Sequence, residues 1–170
     1  MSDLHISNRR TLEANGTYRL IRNWDWDLFV TLTFAPKDRR LSSHYARRRL
    51  ERWIYRLSQR TNMQVGSLFV LCYRYGELHI HALLLGRGEE NGETKTLKKI
   101  PKGTINKSWF RLMNLEVPDS QEAVARYIAA HHFSHKCHRA IIDTINPEFL
   151  STQRQQPVIT SPLLTFDESD

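Results

Sequence analysis

Cysteine is scarce in this chain, and its scarcity limits the classes of protein that the sequence can encode. Two cysteines occur among 170 residues, Cys72 and Cys137, and they form no Cys-x-x-Cys pattern. The sequence therefore predicts neither a disulfide framework, of the kind that holds small secreted domains together, nor a redox pair.

Long apolar runs and nucleotide-binding motifs are also missing. No run approaches the ~20 apolar residues that a membrane helix needs, and the start of the chain, MSDLHISNRR, lacks the apolar core of a signal peptide. We therefore expect a cytoplasmic protein, in the host cell if a virus or plasmid encodes it, with no membrane partner. The helicase motif GxxxxGKS or GxxxxGKT does not occur, so any unwinding of DNA would need a partner such as a host helicase.

Acidic residues are outnumbered by basic ones. The chain has 25 lysines and arginines against 18 acidic residues, which gives a formal net charge of +7. This excess favours an anionic partner, most simply nucleic acid. A solvated basic surface without a partner is the alternative.

The residues that are present fit one domain with a substantial core. Hydrophobic residues make up 40% of the chain and charged residues 25%, as in globular proteins. Residues 1–26 are assigned to an N-terminal extension, whose Trp24 and Trp26 belong to the core or stack on bases. Residues 27–142 carry the periodic segments and form the predicted domain. From Asp143 onward periodicity stops and three of the six prolines follow, which predicts an irregular tail over residues 143–170.

Residues 67–86, SLFVLCYRYGELHIHALLLG, are the most informative segment. Two apolar runs flank the polar break at residues 74–77, a pattern typical of a tight β-hairpin. Side chains alternate between the faces of a strand, so Glu77, His79 and His81 share one face of the second strand. That strand is otherwise apolar on both sides, which indicates a position inside a sheet covered on both faces.

The two histidines have two interpretations. They project in parallel, roughly 6–7 Å apart, which suits two neutral nitrogens that bind one metal ion. The alternative is a pair of core histidines hydrogen-bonded to the backbone. If Arg74 pairs with Glu77 across the turn, Cys72 lies opposite His79 on the same face.

Three further segments surround this hairpin. Residues 29–34, FVTLTF, are predicted as a strand that carries Thr31 and Thr33 on one face. Residues 42–60 are predicted as a serine-capped helix with one apolar stripe and six arginines, which favour contact with phosphates or simply form a solvated face. Residues 87–103, rich in glycine and lysine, are predicted as a flexible loop or small ribbon that follows a nucleic-acid backbone, with a plain surface insertion equally compatible.

The last predicted helix begins after Asp119, its expected N-cap. Its periodicity places Val124, Tyr127, Ile128 and His131 on an inward stripe, so Tyr127 is expected to point at the sheet; a core tyrosine is the alternative. Residues 131–138 hold four of the eight histidines. A polar, DNA-facing helix end is favoured there over a zinc site.

A short helix at 104–113 and a short strand at 114–117 are also predicted. The order strand, helix, strand, strand, helix, strand and final helix indicates an α+β fold. It predicts a ferredoxin-like βαββαβ sandwich, with an antiparallel sheet flanked by helices. In that topology the first and third strands are neighbours, which places Thr31 and Thr33 beside His79 and His81. The final helix can then lay Tyr127 over the same face.

Three segments resemble the ordered motifs of HUH endonucleases: FVTLTF at 29–34, ELHIHALLLG at 77–86 and AVARYIAAHH at 123–132. This superfamily includes the single-tyrosine initiators of rolling-circle replication in plasmids and phages, and related tyrosine transposases. The resemblance implies that His79 and His81 bind Mg²⁺ or Mn²⁺. It also implies that Tyr127 nicks single-stranded DNA, keeps the 5′-phosphate as a tyrosyl ester and later rejoins strands.

The function implied by this resemblance is a metal-dependent, site-specific endonuclease and ligase of single-stranded DNA. Its expected role is to initiate rolling-circle replication of a plasmid or phage at an origin hairpin or nick site. One alternative is a non-catalytic DNA- or RNA-binding ferredoxin-like module, such as an autorepressor of a mobile element. The other is a tyrosine transposase.

Two positions of the family pattern have no direct counterpart. Members usually add a third metal ligand, for which Glu77 is the candidate, with water or Gln64 as alternatives; Cys72 is a poor ligand for hard Mg²⁺. Members often carry a lysine three residues after the tyrosine, where an alanine stands here, and His131 or Lys136 is expected to assist catalysis instead. The residues expected to contact DNA are Thr31, Thr33, Arg48, Arg52, Arg74, Lys98, Lys99 and Lys136.

Overall fold

The computed structural model describes residues 16–34, 42–74, 77–106, 113–133 and 140–153, except for the side chains of residues 74, 77, 113, 131–133 and 140. Five helices and six strands lie in these ranges, together with a short 3₁₀ turn at Leu97–Lys99. In chain order they are α1 (16–21), β1 (Leu28–Thr33), α2 (Ser43–Thr61), β2 (Gln64–Arg74), β3 (Glu77–Glu90), β4 (Glu93–Thr96), α3 (Lys102–Asn106), β5 (Met113–Glu116), α4 (Gln121–Phe133), β6 (Ala140–Ile145) and α5 (Pro147–Thr152). No helix within the described ranges is long and apolar enough to cross a membrane.

The six strands form one antiparallel sheet. Five of them follow the order β5-β1-β3-β2-β6, and β4 pairs with the C-terminal end of β3, residues 87–90. The expected α+β class, with helices against an antiparallel sheet, is confirmed. The expected pairing of the first and third strands is also confirmed, because Thr31 lies opposite His81 and Thr33 opposite His79.

Strand alternation divides the core between the two faces of the sheet. Leu78, Ile80 and Leu84 of β3 point to the face that α2 covers, in a first cluster. Leu83 and Leu85 point to the opposite face, in a second cluster with residues of α1, α4 and α5. Both faces of β3 are therefore covered, as its nearly continuous apolar sequence predicts.

Helix α2 matches its prediction closely. Ser42 is the N-cap, and its hydroxyl accepts a hydrogen bond from the backbone N–H of Tyr45 at 3.3 Å. The helix ends at Asn62, which adopts a left-handed conformation with φ 51°. The buried stripe consists of Ala46, Leu50, Trp53, Ile54, Leu57 and Thr61. This stripe fixes α2 against the Ile80 face and leaves its opposite side in solvent.

The N-terminal boundary of the predicted domain is wrong. The expected extension over residues 1–26 includes α1 and two tryptophans that belong to the second cluster. The indole N–H of Trp26 donates to the Ile21 carbonyl at 2.8 Å, and the indole N–H of Trp24 donates to the Leu150 carbonyl at 2.8 Å. Both tryptophans are therefore core residues, and the base-stacking alternative is wrong.

The C-terminal boundary is also wrong. Strand β6 continues past Asp143 to Ile145 and pairs with β2, and helix α5 follows directly. Leu150 of α5 is buried against β2 and belongs to the second cluster. Within the described ranges regular structure thus continues to Thr152, while residues 154–170 lie outside them.

The end of β3 and strand β4 form a ribbon, one of the two forms expected for residues 87–103. β3 and β4 pair through a turn at Asn91 and Gly92, which have φ 54° and 80°. The helix predicted at 104–113 begins earlier, since α3 covers Lys102–Asn106, and residues 107–112 lie outside the described ranges.

A buried carboxylate fixes the base of this ribbon. One oxygen of Asp27, Oδ2, accepts hydrogen bonds from the backbone N–H groups of Gly86 at 2.9 Å and Leu97 at 3.2 Å. The same oxygen accepts from the Arg87 guanidinium at 2.9 Å. Burial raises the pKa of Asp27 above its ordinary value, and these hydrogen bonds and the Arg87 charge only partly oppose that shift. The carboxylate joins β1, β3 and the 3₁₀ turn.

Candidate functional site

The two histidines of β3 form the centre of the candidate site. Alternation along the strand brings His79 and His81 to the face that α4 covers, and their ring centroids are 5.0 Å apart with planes at 83°. His81 is 4% exposed and His79 is half-buried. The sequence-based expectation that both histidines share one face is confirmed.

Strand β1 orients the deeper of the two rings. The hydroxyl of Thr31 lies 3.1 Å from Nδ1 of His81, within hydrogen-bond distance. A partner at Nδ1 directs the other nitrogen, Nε2, toward the site. The ring of Phe29, also on β1, stacks on His81 with centroids 5.8 Å apart and planes at 15°. β1 thus holds His81 by a hydrogen bond and by a ring contact.

Helix α4 brings Tyr127 to the same place. The Tyr127 ring meets the edges of two other rings at centroid distances of 5.6 Å, those of His81 and Phe29. Tyr127 is nevertheless 48% exposed. The buried stripe of α4 is Ala125, Ile128 and Ala129, so the expectation that Tyr127 belongs to this stripe is wrong. It borders the stripe, in contact with His81 and open to solvent.

The start of α4 also differs in detail from its prediction. The backbone N–H of Ala123 donates to the hydroxyl of Ser120 at 3.2 Å, so Ser120, and not Asp119, caps the helix. The side chain of His131 lies outside the described part of the chain, as does all of Lys136. Their expected assistance to Tyr127 stays a prediction.

The third metal ligand that the resemblance leads us to expect has no candidate among the described side chains. Within the described residues, no group of three or more His, Cys, Asp and Glu side chains could hold a metal ion. Glu77 pairs with Arg74 in the register of the hairpin, as expected, but both side chains lie outside the description. Gln64 is wrong as an alternative: it lies opposite Arg87, eight residues and about 26 Å along β2 from Cys72.

A second expectation that is wrong concerns the bonding state of Cys72. It lies opposite His79, as the hairpin register predicts, and it is fully buried. The sequence predicted no disulfide, yet Cys72 is disulfide-bonded. A disulfide sulfur offers no thiolate, so Cys72 cannot serve as a metal ligand in this state.

The residues expected to contact DNA do not all lie together. Thr31 and Thr33 flank the histidines, whereas Arg48 and Arg52 lie on α2, which covers the opposite face of the sheet. Lys98 and Lys99 belong to the 3₁₀ turn beside the β3–β4 ribbon, away from the hairpin end of β3, and Lys98 forms an ion pair with Asp25 at 2.9 Å.

One of the six arginines of α2 is paired with acidic residues. Arg47 forms ion pairs with Glu51, in the next turn of the helix, and with Asp143 of β6. Asp143 had been assigned to the tail, so its contact with α2 was not foreseen.

Three residues of the site were missed. Phe29 contacts both His81 and Tyr127, and the register of β1 with β5 places Glu116 opposite Phe29 and Asn114 opposite Thr31. The amide of Asn114 donates to Glu116 at 2.6 Å. Parity along the predicted strands would have placed all three on the histidine face, once β5 was paired with β1.

Comparison of the chain with protein-family models, with curated proteins and with solved structures gave no match.

Proposed function

We propose that this protein is a metal-dependent endonuclease that nicks single-stranded DNA and transfers the cut strand, with Tyr127 as its nucleophile. One observation carries the proposal: the Tyr127 ring lies 5.6 Å from the ring of His81, which lies 5.0 Å from that of His79. A phenol from a helix and two imidazoles from a central strand thus converge, although 46 residues separate Tyr127 from His81.

The strand order supports a ferredoxin-like core of the HUH type. Without β4 and β6, the remaining strands follow the order β5-β1-β3-β2. Counted along the chain, this is the order 4-1-3-2 of a ferredoxin-like antiparallel sheet. On this interpretation β6, β4, α1 and α5 are additions around that core. Because unrelated functions share this fold, the proposal depends on the site and not on the sheet.

The two imidazoles fit a divalent ion as a partial donor set. Rings that share one ion through nitrogen–metal bonds of about 2.1 Å have centroids roughly 5 Å apart, and those of His79 and His81 are 5.0 Å apart. Thr31 occupies Nδ1 of His81, which assigns Nε2 to the ion. Glu77 would complete the set with water, since it shares the strand face of both histidines. An ion bound there would polarise the scissile phosphate and neutralise charge that develops on it.

The protein's own groups carry the covalent step. The Tyr127 oxygen attacks phosphorus, a new O–P bond forms, and the bond from phosphorus to the 3′-oxygen breaks. The phenolic proton leaves Tyr127 and a proton is taken up by the departing 3′-oxygen, with His131 as the expected carrier one helical turn away. Because the phosphotyrosine keeps the energy of the broken ester, another 3′-hydroxyl can reverse the step and join strands.

The exposure of Tyr127 suits this role. A tyrosine that is 48% exposed can be reached by a phosphate in solution, whereas its edge contacts with Phe29 and His81 limit the positions of its ring. A phenol has a pKa near 10, so its attack needs a nearby base or cation. A double helix would hold the phosphate away from the recessed imidazoles, which favours a single-stranded substrate.

The test is formation of a covalent adduct. Labelled single-stranded oligonucleotides mixed with the protein and Mn²⁺ should give a protein–DNA adduct on a denaturing gel. Tyr127→Phe should abolish it, since the phenylalanine ring fills the same space without the hydroxyl, and His79→Ala or excess EDTA should do the same. Tyr55→Phe is the matched control, because Tyr55 is an exposed tyrosine of α2 on the other side of the sheet.

The outcomes separate nicking from simple binding. An adduct that survives Tyr127→Phe would contradict the assignment of the nucleophile. Binding of the oligonucleotide without any adduct, in every oligonucleotide sequence tried, would contradict nicking and favour the non-catalytic binding module. A tyrosine transposase would form the same adduct, so only the joined products would distinguish it from a replication initiator.

A further inference from the structure

The outer face of α2 holds most of the excess charge of the protein. The helix contains six arginines and one glutamate, so these residues give it a net charge of +5. The whole chain has a net charge of +7. Its buried stripe contains no charged residue. The charge therefore lies on the flanks and on the solvent side of the helix.

Three of these arginines form a ridge along the solvent side. Arg48, Arg52 and Arg56 recur every four residues, so they lie on one side of the helix with a rise of about 6 Å between neighbours. All three are exposed, and none of them forms an ion pair with a described residue. The Nε of Arg52 donates to the Arg48 carbonyl, which orders the ridge locally. We call Arg48, Arg52 and Arg56 the arginine ridge.

Two arginines of α2 outside the ridge are held by other side chains. Arg47 is occupied by Glu51 and Asp143, and the guanidinium of Arg49 lies over the rings of Phe34 and Tyr45. Tyr55, beside the ridge, is 66% exposed. An exposed tyrosine among exposed arginines is a combination that proteins use on phosphate groups, since the hydroxyl and the guanidinium both donate hydrogen bonds to them.

The arginine ridge and Tyr127 lie on opposite sides of the molecule. α2 covers the Ile80 face of the sheet and α4 covers the His81 face. The Tyr127 ring contacts rings of the sheet, so the sheet and the thickness of α2 separate it from the ridge, roughly 20 Å of protein. A strand whose phosphate lies at Tyr127 therefore cannot contact the ridge with the same few nucleotides.

We propose that the arginine ridge is a second nucleic-acid surface and that its partner is duplex DNA, bound through phosphates. The ridge is convex and straight, and the major groove of B-DNA is wide enough to admit an α-helix. Sites for single strands instead combine a groove with aromatic platforms, whereas the ridge follows the solvent side of one helix. This proposal does not depend on cleavage at Tyr127, so either proposal can fail without the other.

The test measures binding of the full chain to a blunt-ended DNA duplex as a function of salt. Arg48, Arg52 and Arg56 are replaced together by glutamine, which keeps the polarity and helix propensity of the surface but removes its charge. The magnitude of the slope of log K against log salt should fall by about two to three units, since each lost phosphate contact accounts for about 0.9. Arg47→Gln is the matched control on the same helix and should change the slope by less than one unit.

Two further measurements make the result specific. Covalent adduct formation on a short single-stranded oligonucleotide should be the same in the triple variant and in wild type, and circular dichroism should show equal helix content. An unchanged salt slope on duplex DNA would overturn the proposal. Equal loss of binding to single strands, or stronger binding of wild type to duplex RNA than to duplex DNA, would overturn duplex DNA as the partner.

Discussion

At the scale of single residues, the surroundings of His81 determine what its ring can do. Phe29 stacks on one side of the ring, Tyr127 meets it edge-on, and Thr31 bonds to Nδ1. These contacts restrict rotation of the ring. If Nδ1 carries the proton and donates it to the Thr31 hydroxyl, Nε2 presents its lone pair to a cation. Thr31 then acts as a positioning residue and does not itself touch the ion.

We expect Thr31→Val to disturb this arrangement and Thr31→Ser to preserve it. Valine keeps the β-branched shape but removes the hydroxyl, so the two tautomers of His81 should become more equally populated. Affinity for Mn²⁺ should fall roughly 10–100-fold, as for other lost partners of metal-binding histidines. Nitrogen NMR of the metal-free imidazoles measures the tautomers, and Mn²⁺ titration measures the affinity.

The control for that experiment is Ser67→Ala. Ser67 is a buried β2 residue whose hydroxyl makes no hydrogen bond in the described part of the structure, and it belongs to the α2 face. Its loss should leave both measurements unchanged. Identical tautomer populations in Thr31→Val and wild type would contradict a positioning role for Thr31.

Asp27 leads to a prediction about pH. Burial raises its folded-state pKa above the ordinary value of 3.8, so the folded protein holds this proton more tightly than the unfolded chain. Its stabilising contribution is therefore complete below pH 3.8 and is lost as the pH rises through the folded pKa. Urea unfolding of wild type and Asp27→Asn across the acidic range should show the advantage of wild type shrinking as pH rises. An advantage that grows with pH would contradict the burial argument.

At the scale of elements, strand and helix periodicity was enough to predict the centre of the site. Alternation in β3 and the Arg74–Glu77 register depend only on local sequence, and both placed His79 opposite Cys72 correctly. The position of Tyr127 at the border of the α4 stripe was not predictable. It depends on how α4 sits over β1, where Phe29 occupies the space under the ring.

The C-terminal elements show why local signals fail. Three prolines suggested an irregular tail, but Pro147 lies in the first turn of α5, where the missing N–H needs no partner. The disulfide of Cys72 was missed because Cys72 belongs to no local cysteine pattern. The burial of Trp24 could not be predicted for the same reason, since its partner Leu150 is 126 residues away.

The packing of α5 leads to a prediction at this scale. A Cβ added at Gly66 of β2 would lie 2.8 Å from Cδ2 of Leu150 and 2.9 Å from Cδ1 of Phe149, so one element would have to move. Gly66→Ala should therefore lower the free energy of unfolding by about 1–3 kcal/mol, as overpacking usually does. Gly103→Ala is the control: Gly103 lies in α3 with nothing within 4 Å, so alanine should be neutral or stabilise by up to about 1 kcal/mol. Equal stability of Gly66→Ala and wild type in urea would contradict a tight α5–β2 contact.

At the scale of the whole molecule, the sheet separates two kinds of surface. The histidine face carries aromatic rings and hydroxyls beside an exposed tyrosine, and the opposite side carries the arginine ridge. Composition alone gave the net charge but not its distribution, because the side of the sheet that each helix covers depends on the strand order. Under the two proposals, one side acts on a single strand while the other holds a duplex.

The hydrogen bond from Trp24 to Leu150 has a consequence for how the sequence can change over time. It joins the segment before β1 to the last described helix, and the second cluster depends on both. Loss or exchange of either segment would leave a cavity in the second cluster. Selection therefore acts on the two segments as a single inherited unit, although they lie 126 residues apart.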